Sequence, residues 1–558
     1  MTSITFVSLS ILITTANAKT LQKFMISAAN PLAAKAGFDI LQKGASAVDA
    51  AIATQMVLTL VEPQSSGIGG GAFLLHFNNA TNEVSSFDGR EMAPAAVKEN
   101  HFIQTDGNPQ KFYDAVVGGQ SVGVPGVLAM MNLAHKTHGK LPWKDLFVAA
   151  IDLSENGFPI SPRLHFLLNR DKYLKTKVKA AAYFYDAEGN AKPVGHILKN
   201  PELAATLKAI ASNGVQVFYT GAIAREIVKA VQDDPNNPGL LSETDMANYL
   251  PKIREPVCQM YRKHKVCGMG PPTSGGITSL QILKLLENYD LPSMPAGSID
   301  AINLISEASA LAFADRGKFL GDADFVEIPV THLLDSDYIK QRSKLIIAGS
   351  TNVPYSAGNP TSRAGFLSID DAIELPSTSH FSIIDKEGNA VSITTSVENV
   401  FGSRLMAGGF ILNNQLTDFS FRPVGENGPV NNRIQPGKRP RSSMSPTLVL
   451  DEKGDLFAVI GSPGGSRIIG YVTSTLIGIL DWGMNMQQAI DMPHHINRNG
   501  TLDLEKNTPL AAHKKALEAM GYTVKLRSLT SGLHGILLTE DGIQGGADPR
   551  REGVVLSN

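Results

Sequence analysis

An α+β fold, with antiparallel sheets covered by helices, is what this sequence predicts, and three observations carry it. Apolar residues recur at helical spacing over 31–42 and 47–60, broken by Gly44 and stopped before Pro63. Three segments read as strand, polar turn, strand: 72–76 with 83–88, 380–384 with 390–397, and 447–450 with 456–460. Their turns hold the Asn, Asp and Gly residues that hairpins need. Finally, 558 residues at 43% hydrophobic content bury a large core, with room for more than one domain.

Taken in order, the chain opens on a largely apolar run, 4–13, followed by Ala16-Asn17-Ala18, which fits a small-x-small cleavage site. Residues 1–18 are therefore expected to be an export signal, giving a periplasmic or secreted protein. The run lacks a Lys or Arg before it, so a buried first strand or a misassigned start is the competing reading. It is too short to span a bilayer, and no later stretch reaches about 18 uninterrupted apolar residues, so no membrane span is expected after signal removal. A Gly-rich turn, 67–71, follows the two helices. Residues 120–345 read as mainly helical, with breaks at Pro142, Pro159, Pro201 and Pro251.

Cys258 and Cys267, the only cysteines, flank two short strands around a turn at Arg262-Lys263. The sulfurs then lie on facing strands, open either to a disulfide in an oxidising compartment or to two buried thiols. With so few cysteines and no His at ligand spacing, no metal site is expected. Fifty Lys and Arg balance 52 Asp and Glu at a net charge of −2, with no basic stripe, which argues against nucleic acid as a partner. Gly464-Gly465 lacks the Lys-Ser/Thr ending of a phosphate-binding loop. A weaker fourth hairpin lies around Glu540-Asp541-Gly542.

The second hairpin carries the chemistry. If Glu387 centres its turn, cross-strand partners lie equidistant from it, and Thr378 faces Ser396. Directly opposed residues have Cβ atoms roughly 5 Å apart, within reach of a hydroxyl–hydroxyl bond. A plain cross-strand Thr/Ser pair has the same geometry, and a one-residue slip breaks it. A Thr freed at its amine becomes a self-sufficient nucleophile, because base and hydroxyl belong to one residue. The other hairpins end at Gly89-Arg90-Glu91 and, for the third, beside Arg441-Ser442-Ser443 and Gly461-Ser462-Pro463-Gly464-Gly465-Ser466. Hairpins lying side by side in one orientation would gather these groups on one face.

With those residues in place, the chain resembles the γ-glutamyltranspeptidases of the N-terminal-nucleophile hydrolase superfamily. The matching stretches are 67–71, 87–94, 271–276, Ser-Thr-Ser-His-Phe-Ser at 377–382, 412–419, 438–446, 461–468 and 545–550, in the family's order over nearly the whole chain. The resemblance implies a four-layered αββα sandwich and a self-cut between Ser377 and Thr378. A large subunit, 19–377, would stay with a small one, 378–558, of 181 residues (558 − 377). It implies that Thr378 attacks the γ-carbonyl of glutathione or another γ-glutamyl amide, without a cofactor, with Ser396 positioning the nucleophile and Gly464 and Gly465 holding the oxyanion. Arg90, Ser442 and Ser443 would bind the α-carboxylate, and Asp418 and Gln415 the α-ammonium. Water or an amino-acid or peptide amine would accept the acyl group. His380 and the His494-His495 pair are assigned structural roles.

Two departures stand out. Glu398 occupies a position where many members have an Asn that contacts the substrate's amino group, and Ser396 stands where Thr is common. A second carboxylate beside Asp418 strengthens attraction for an ammonium if both are ionised, but crowding raises one carboxylate's pKa. The stretch 421–438 is also shorter than in members with a lid loop, implying a more open pocket. A cephalosporin (glutaryl) acylase-like amidase, or a non-catalytic amino-acid-binding protein on the same scaffold, is the alternative. Denaturing mass spectrometry of purified protein should show two polypeptides, the smaller starting at Thr378, and one intact chain for Thr378→Ala; a normally cut Thr378→Ala protein refutes the assignment.

Overall fold

The computed structural model describes residues 24–360, 366–370, 372–375 and 377–558. The expected signal, 1–18, lies outside the described residues. In chain order, the strands of two large sheets are β1 (Met25–Ala28), β2 (Gly71–Asn78), β3 (Glu83–Gly89), β4 (Lys252–Arg254), β5 (Val257–Tyr261), β6 (His264–Gly268), β7 (Ser379–Ile384), β8 (Ala390–Ser396), β9 (Thr447–Leu450), β10 (Leu456–Gly461), β11 (His534–Thr539), β12 (Gly542–Ala547) and β13 (Val554–Ser557). The first sheet runs β13-β1-β7-β8-β2-β3-β4, and the second β12-β11-β10-β9-β6-β5.

Helices cover the outer faces. On the first sheet lie α1 (Pro31–Gln42) and α2 (Ala47–Val61), and on the second α3 (Gly275–Leu286), α4 (Ile299–Phe319) and α5 (Ile468–Leu480). The starts of α1 and α2 are set locally. Asn30 caps Leu32 N ahead of Pro31, and Ser46 forms a capping box with Asp49. Helix α2 is buried along its whole length, as its nearly continuous apolar sequence requires.

Strand alternation divides the interior. In β2, Leu74 joins the helix-side core, while Phe73, Leu75 and Phe77 enter the core between the sheets and α3–α5. Small hydroxyls stitch the sheets together: Ser382 Oγ donates to His534 O at 3.1 Å, Ser392 Oγ to Ile460 O at 2.9 Å, and Ser27 Oγ to Gly546 O at 2.7 Å. The result is a four-layered αββα sandwich.

The condition that all three hairpins lie side by side is met only in part. The first two do share a sheet through the β2–β8 pairing, but the third, β9–β10, stacks above them in the second sheet. Part of the reason is polar: the faces of β7 and β8 carrying Ser382 and Ser392 need covering groups, and β10 and β11 supply carbonyls there. The open ends still converge. Pro201, expected as a break, opens a helix behind its cap Asn200.

Cys258 and Cys267 sit opposite each other in the β5–β6 register and form a disulfide. Among the described residues, no helix is long and apolar enough to cross a membrane, and no His, Cys, Asp or Glu cluster is arranged to hold a metal.

The Gly-rich turn before β2 exists for close approach. A Cβ on Gly70 would lie 2.0 Å from Ser396 O, and one on Gly69 would lie 2.1 Å from Ile411 O. Both contacts are with backbone, which has no rotamer to move aside. Gly70→Ala should lower the unfolding free energy by about 2 kcal/mol or more, whereas Gly500→Ala, with open space around its Cβ, should be near neutral. Equal denaturant midpoints for the two variants would contradict this packing.

Candidate active site

Residues on β7 and β8 pair equidistantly about Glu387, from Ala390 with Ile384 to Thr395 with Ser379. One step further, Thr378 Oγ1 and Ser396 Oγ are 3.0 Å apart. Ser396 Oγ also accepts from Glu398 N at 2.9 Å. The strand end, its partner strand and the following turn therefore fix the hydroxyl pair together.

Thr378 has φ 84°, the left-handed region. For a β-branched residue this costs on the order of 1–3 kcal/mol and needs support from its surroundings. Clamps supply it. Ser377 Oγ donates to Gln64 O at 2.8 Å, and Arg551 Nη1 donates to Thr378 O at 2.9 Å. Ser379 Oγ donates to Glu62 Oε2 at 2.6 Å. Cutting the bond before Thr378 removes the acyl group that gives this φ its cost.

Thr378 and Ser396 line a small cavity together with Arg90, Glu398, Gln415, Asp418, Ser442, Ser443 and Gly465. Gly464 is the next residue back in the same turn, and both glycines have positive φ, 141° and 61°. Ser377 precedes the cavity in sequence and is buried. The sequence thus singled out a set of residues, spread over almost the whole chain, that the structure brings to one place. Cys258 and Cys267 lie apart from it, on the far edge of the second sheet.

The cavity walls are electrically divided. Arg90 Nη2 donates to Asp418 Oδ2 at 2.5 Å and to Arg441 O at 3.1 Å, and Gln415 Nε2 donates to Asp418 Oδ2 at 2.9 Å. Arg90 also lies 3.6 Å from Glu91. Burial raises Asp418 to about 6 against the lowering pull of Arg90. Glu398 is pushed well above the usual carboxylate range, first by burial and then by the charge of Asp418. Asn414 Nδ2 donates to Glu398 Oε2, leaving Glu398 Oε1 and Gln415 Oε1 as buried acceptors without a hydrogen-bond partner. Unpartnered buried acceptors beside an anionic carboxylate fit an ammonium; the Arg90 guanidinium that pairs with Asp418, together with two serines, fits a carboxylate.

His380 has no part in this arrangement. Its ring bonds Thr394 Oγ1 at 2.9 Å and Ser382 Oγ at 3.1 Å, and burial holds it well below its usual pKa, hence neutral. His494 bonds Ser531 Oγ at 2.7 Å in the core. Sequence reasoning missed Arg551, one residue past the 545–550 stretch, and Asn414, which sits inside the Asn413-Asn414-Gln415 run. It also missed Glu374, Leu375, Met444 and Ile468 in the cavity wall.

A family model described as Gamma-glutamyltranspeptidase matches residues 33–557. The glutathione hydrolase proenzyme of Bacillus subtilis (strain 168) is 36% identical over 89% of this chain and 84% of that protein. The glutathione hydrolase proenzyme of Escherichia coli (strain K12) is 36% identical over 94% of this chain and 90% of that protein. Among solved structures, cephalosporin acylase from Bacillus halodurans aligns with a TM-score of 0.81 at 26% identity, covering 99% of each chain. Helicobacter pylori gamma-glutamyltranspeptidase aligns with a TM-score of 0.57 at 33% identity, over 60% of this chain and 95% of that one.

The divided cavity gives a signed pH dependence. An ammonium held at Asp418 needs its ionised form, so on that assignment affinity for a zwitterion should rise as pH climbs through about 6. Between about pH 5 and about pH 7.5 the inhibition constant of L-glutamate should fall roughly tenfold, following the ionised fraction of such a group. That of glutarate, which lacks the ammonium, should stay level or rise. Parallel profiles for the two would contradict the assignment of Asp418.

Proposed function

This chain belongs to the γ-glutamyltranspeptidase family, and on that footing we propose that it is a self-processing γ-glutamyl hydrolase and transferase acting on glutathione and related γ-glutamyl amides. One observation carries the reading: the Thr378–Ser396 hydroxyl pair opens into a cavity with a guanidinium on one wall and unpartnered acceptors on another. That wall pattern selects an amino-acid head, and the hydroxyl supplies the attack.

The chain matures by a cut between Ser377 and Thr378 into a large subunit, 19–377, and a small one, 378–558. The strained φ of Thr378 supports that position. Once free, the Thr378 amine has an unperturbed pKa near ~8 and takes the proton of its own hydroxyl. Oγ1 then attacks the γ-carbonyl while Ser396 holds it in line. The carbonyl oxygen becomes an oxyanion facing the Gly464-Gly465 turn, where loss of one donor costs on the order of 3 kcal/mol. Collapse returns the proton to the leaving amine and leaves a γ-glutamyl ester on Thr378. Water or an amino-acid or peptide amine then repeats the sequence in reverse.

Arg90, Ser442 and Ser443 hold the α-carboxylate; Asp418, Gln415 and Glu398 hold the ammonium. Burial and the charge of Asp418 push the Glu398 carboxyl upward, which opposes a second full negative charge beside Asp418. This wall disfavours a glutaryl donor, which brings no ammonium to satisfy those acceptors. The short 421–438 stretch supports an open pocket that admits bulky γ-glutamyl amides. The apolar run at 4–13 and the Cys258–Cys267 disulfide support export to an oxidising compartment.

Ser396→Ala should lower kcat/KM for a γ-glutamyl anilide by about 10²-fold or more, and Ser396→Thr should restore it to within a few fold. A glutaryl amide should be turned over far more slowly than the anilide. Faster turnover of the glutaryl amide would move the protein to the acylase reading.

A further inference from the structure

Two residues shortly before the cut, Glu374 and Leu375, line the cavity. Glu374 accepts from Ser443 Oγ and Arg316 Nη2, and from Arg441 Nη2 at 3.3 Å. Next to it, Leu375 O lies 2.7 Å from where a Cβ on Gly465 would stand. Between them, the two residues form the cavity wall that joins its serines to its glycine turn.

Arg316 makes this more than a lining contact. Projecting from α4, it is buried, with Nε on Ser274 Oγ at 2.8 Å and Nη2 on Ser443 Oγ at 2.6 Å. Among the described residues, Glu374 is its only ion-paired carboxylate. Arg441, by contrast, has a second carboxylate, Asp370, at 2.7 Å. Freeing the segment at Ser377 lets Glu374 leave, and a buried guanidinium without its counter-ion is strongly unfavourable. An incoming carboxylate resolves that, and Ser443 already holds one in the proposed donor pose.

Resting on that pose, we infer that Arg316 and Ser443 form an anion subsite that Glu374 fills in the uncut chain and the α-carboxylate of the γ-glutamyl donor takes over afterwards. Arg316 is then a specificity-determining residue alongside Arg90. Glu374 is a built-in placeholder that stabilises the precursor and keeps it from binding donor before the nucleophile is free.

The test uses uncut protein and reads binding, not turnover. L-Glutamate is titrated calorimetrically into Thr378→Ala, into Thr378→Ala/Glu374→Gln, and into the latter carrying Arg316→Gln as well. The double variant should bind at least about tenfold more tightly than the single, a gain of about 1.4 kcal/mol, and Arg316→Gln should remove that gain. Isoglutamine, which lacks the α-carboxylate, should not show it. Equal affinity in the single variant and in both the Glu374→Gln and Glu374→Ala double variants, or a gain that survives Arg316→Gln, overturns the inference. A parallel Thr378→Ala/Glu374→Ala protein, whose melting temperature should rise with L-glutamate, covers the case in which Gln holds the same pose as Glu. Hydrolysis of a γ-glutamyl anilide by the self-cut wild type tests the underlying reading separately.

Discussion

Backbone pairing, rather than side-chain packing, sets the distance between Thr378 and Ser396. Hydrogen bonds between β7 and β8 fix the register, and a slip of one residue would send every hydroxyl on those strands to the opposite face. The rest of the site is arranged around that constraint. Gly70 lies against the Ser396 carbonyl because only a missing Cβ permits the approach. The chain leaving β8 reverses at Glu398, φ 75°, which points its amide back at Ser396 Oγ. A strained residue at each strand end, Thr378 and Glu398, marks where regular structure yields to chemistry.

Charge burial is the second organising cost. Arg90, Glu91, Glu398 and Asp418 are all sequestered, and isolated charges there would be prohibitive. Arg90 therefore pairs with Asp418, and burial pushes both Glu398 and Glu91, the latter to about 8, toward their neutral forms. What remains is one ionised carboxylate with unpartnered oxygens beside it. Such a cavity is incompletely satisfied until a zwitterion enters, which is one way of placing binding energy where the reaction uses it. In the uncut chain, Glu374 meets only the cationic side, pairing with Arg316 and Ser443.

Much of this was legible in the sequence, for local reasons. Asp-Lys-Glu-Gly-Asn and its counterparts mark hairpin turns by their own chemistry, and counting outward from Glu387 places Thr378 against Ser396. Cys258 and Cys267 face each other by the same count. Sheet membership was not legible, because nothing in the 447–460 hairpin says that it stacks on β7 and β8 rather than pairing beside them. Arg316 and Glu374 were equally hidden: one reads as the basic end of a long helix, the other as a loop acid. Only tertiary packing brings them together on Ser443. The family resemblance proposed roles for Arg90, Asp418 and the serines, and the structure brings these residues to one cavity.

The central claim is that Thr378 carries the acyl group during turnover. Mixing the self-cut enzyme with a γ-glutamyl anilide, quenching in acid within the first turnover, and mapping peptides of the smaller subunit by mass spectrometry tests it most directly. The account predicts a γ-glutamyl ester on the N-terminal residue Thr378. A burst of anilide release with the acyl group on any other residue, or with none bound, would contradict it.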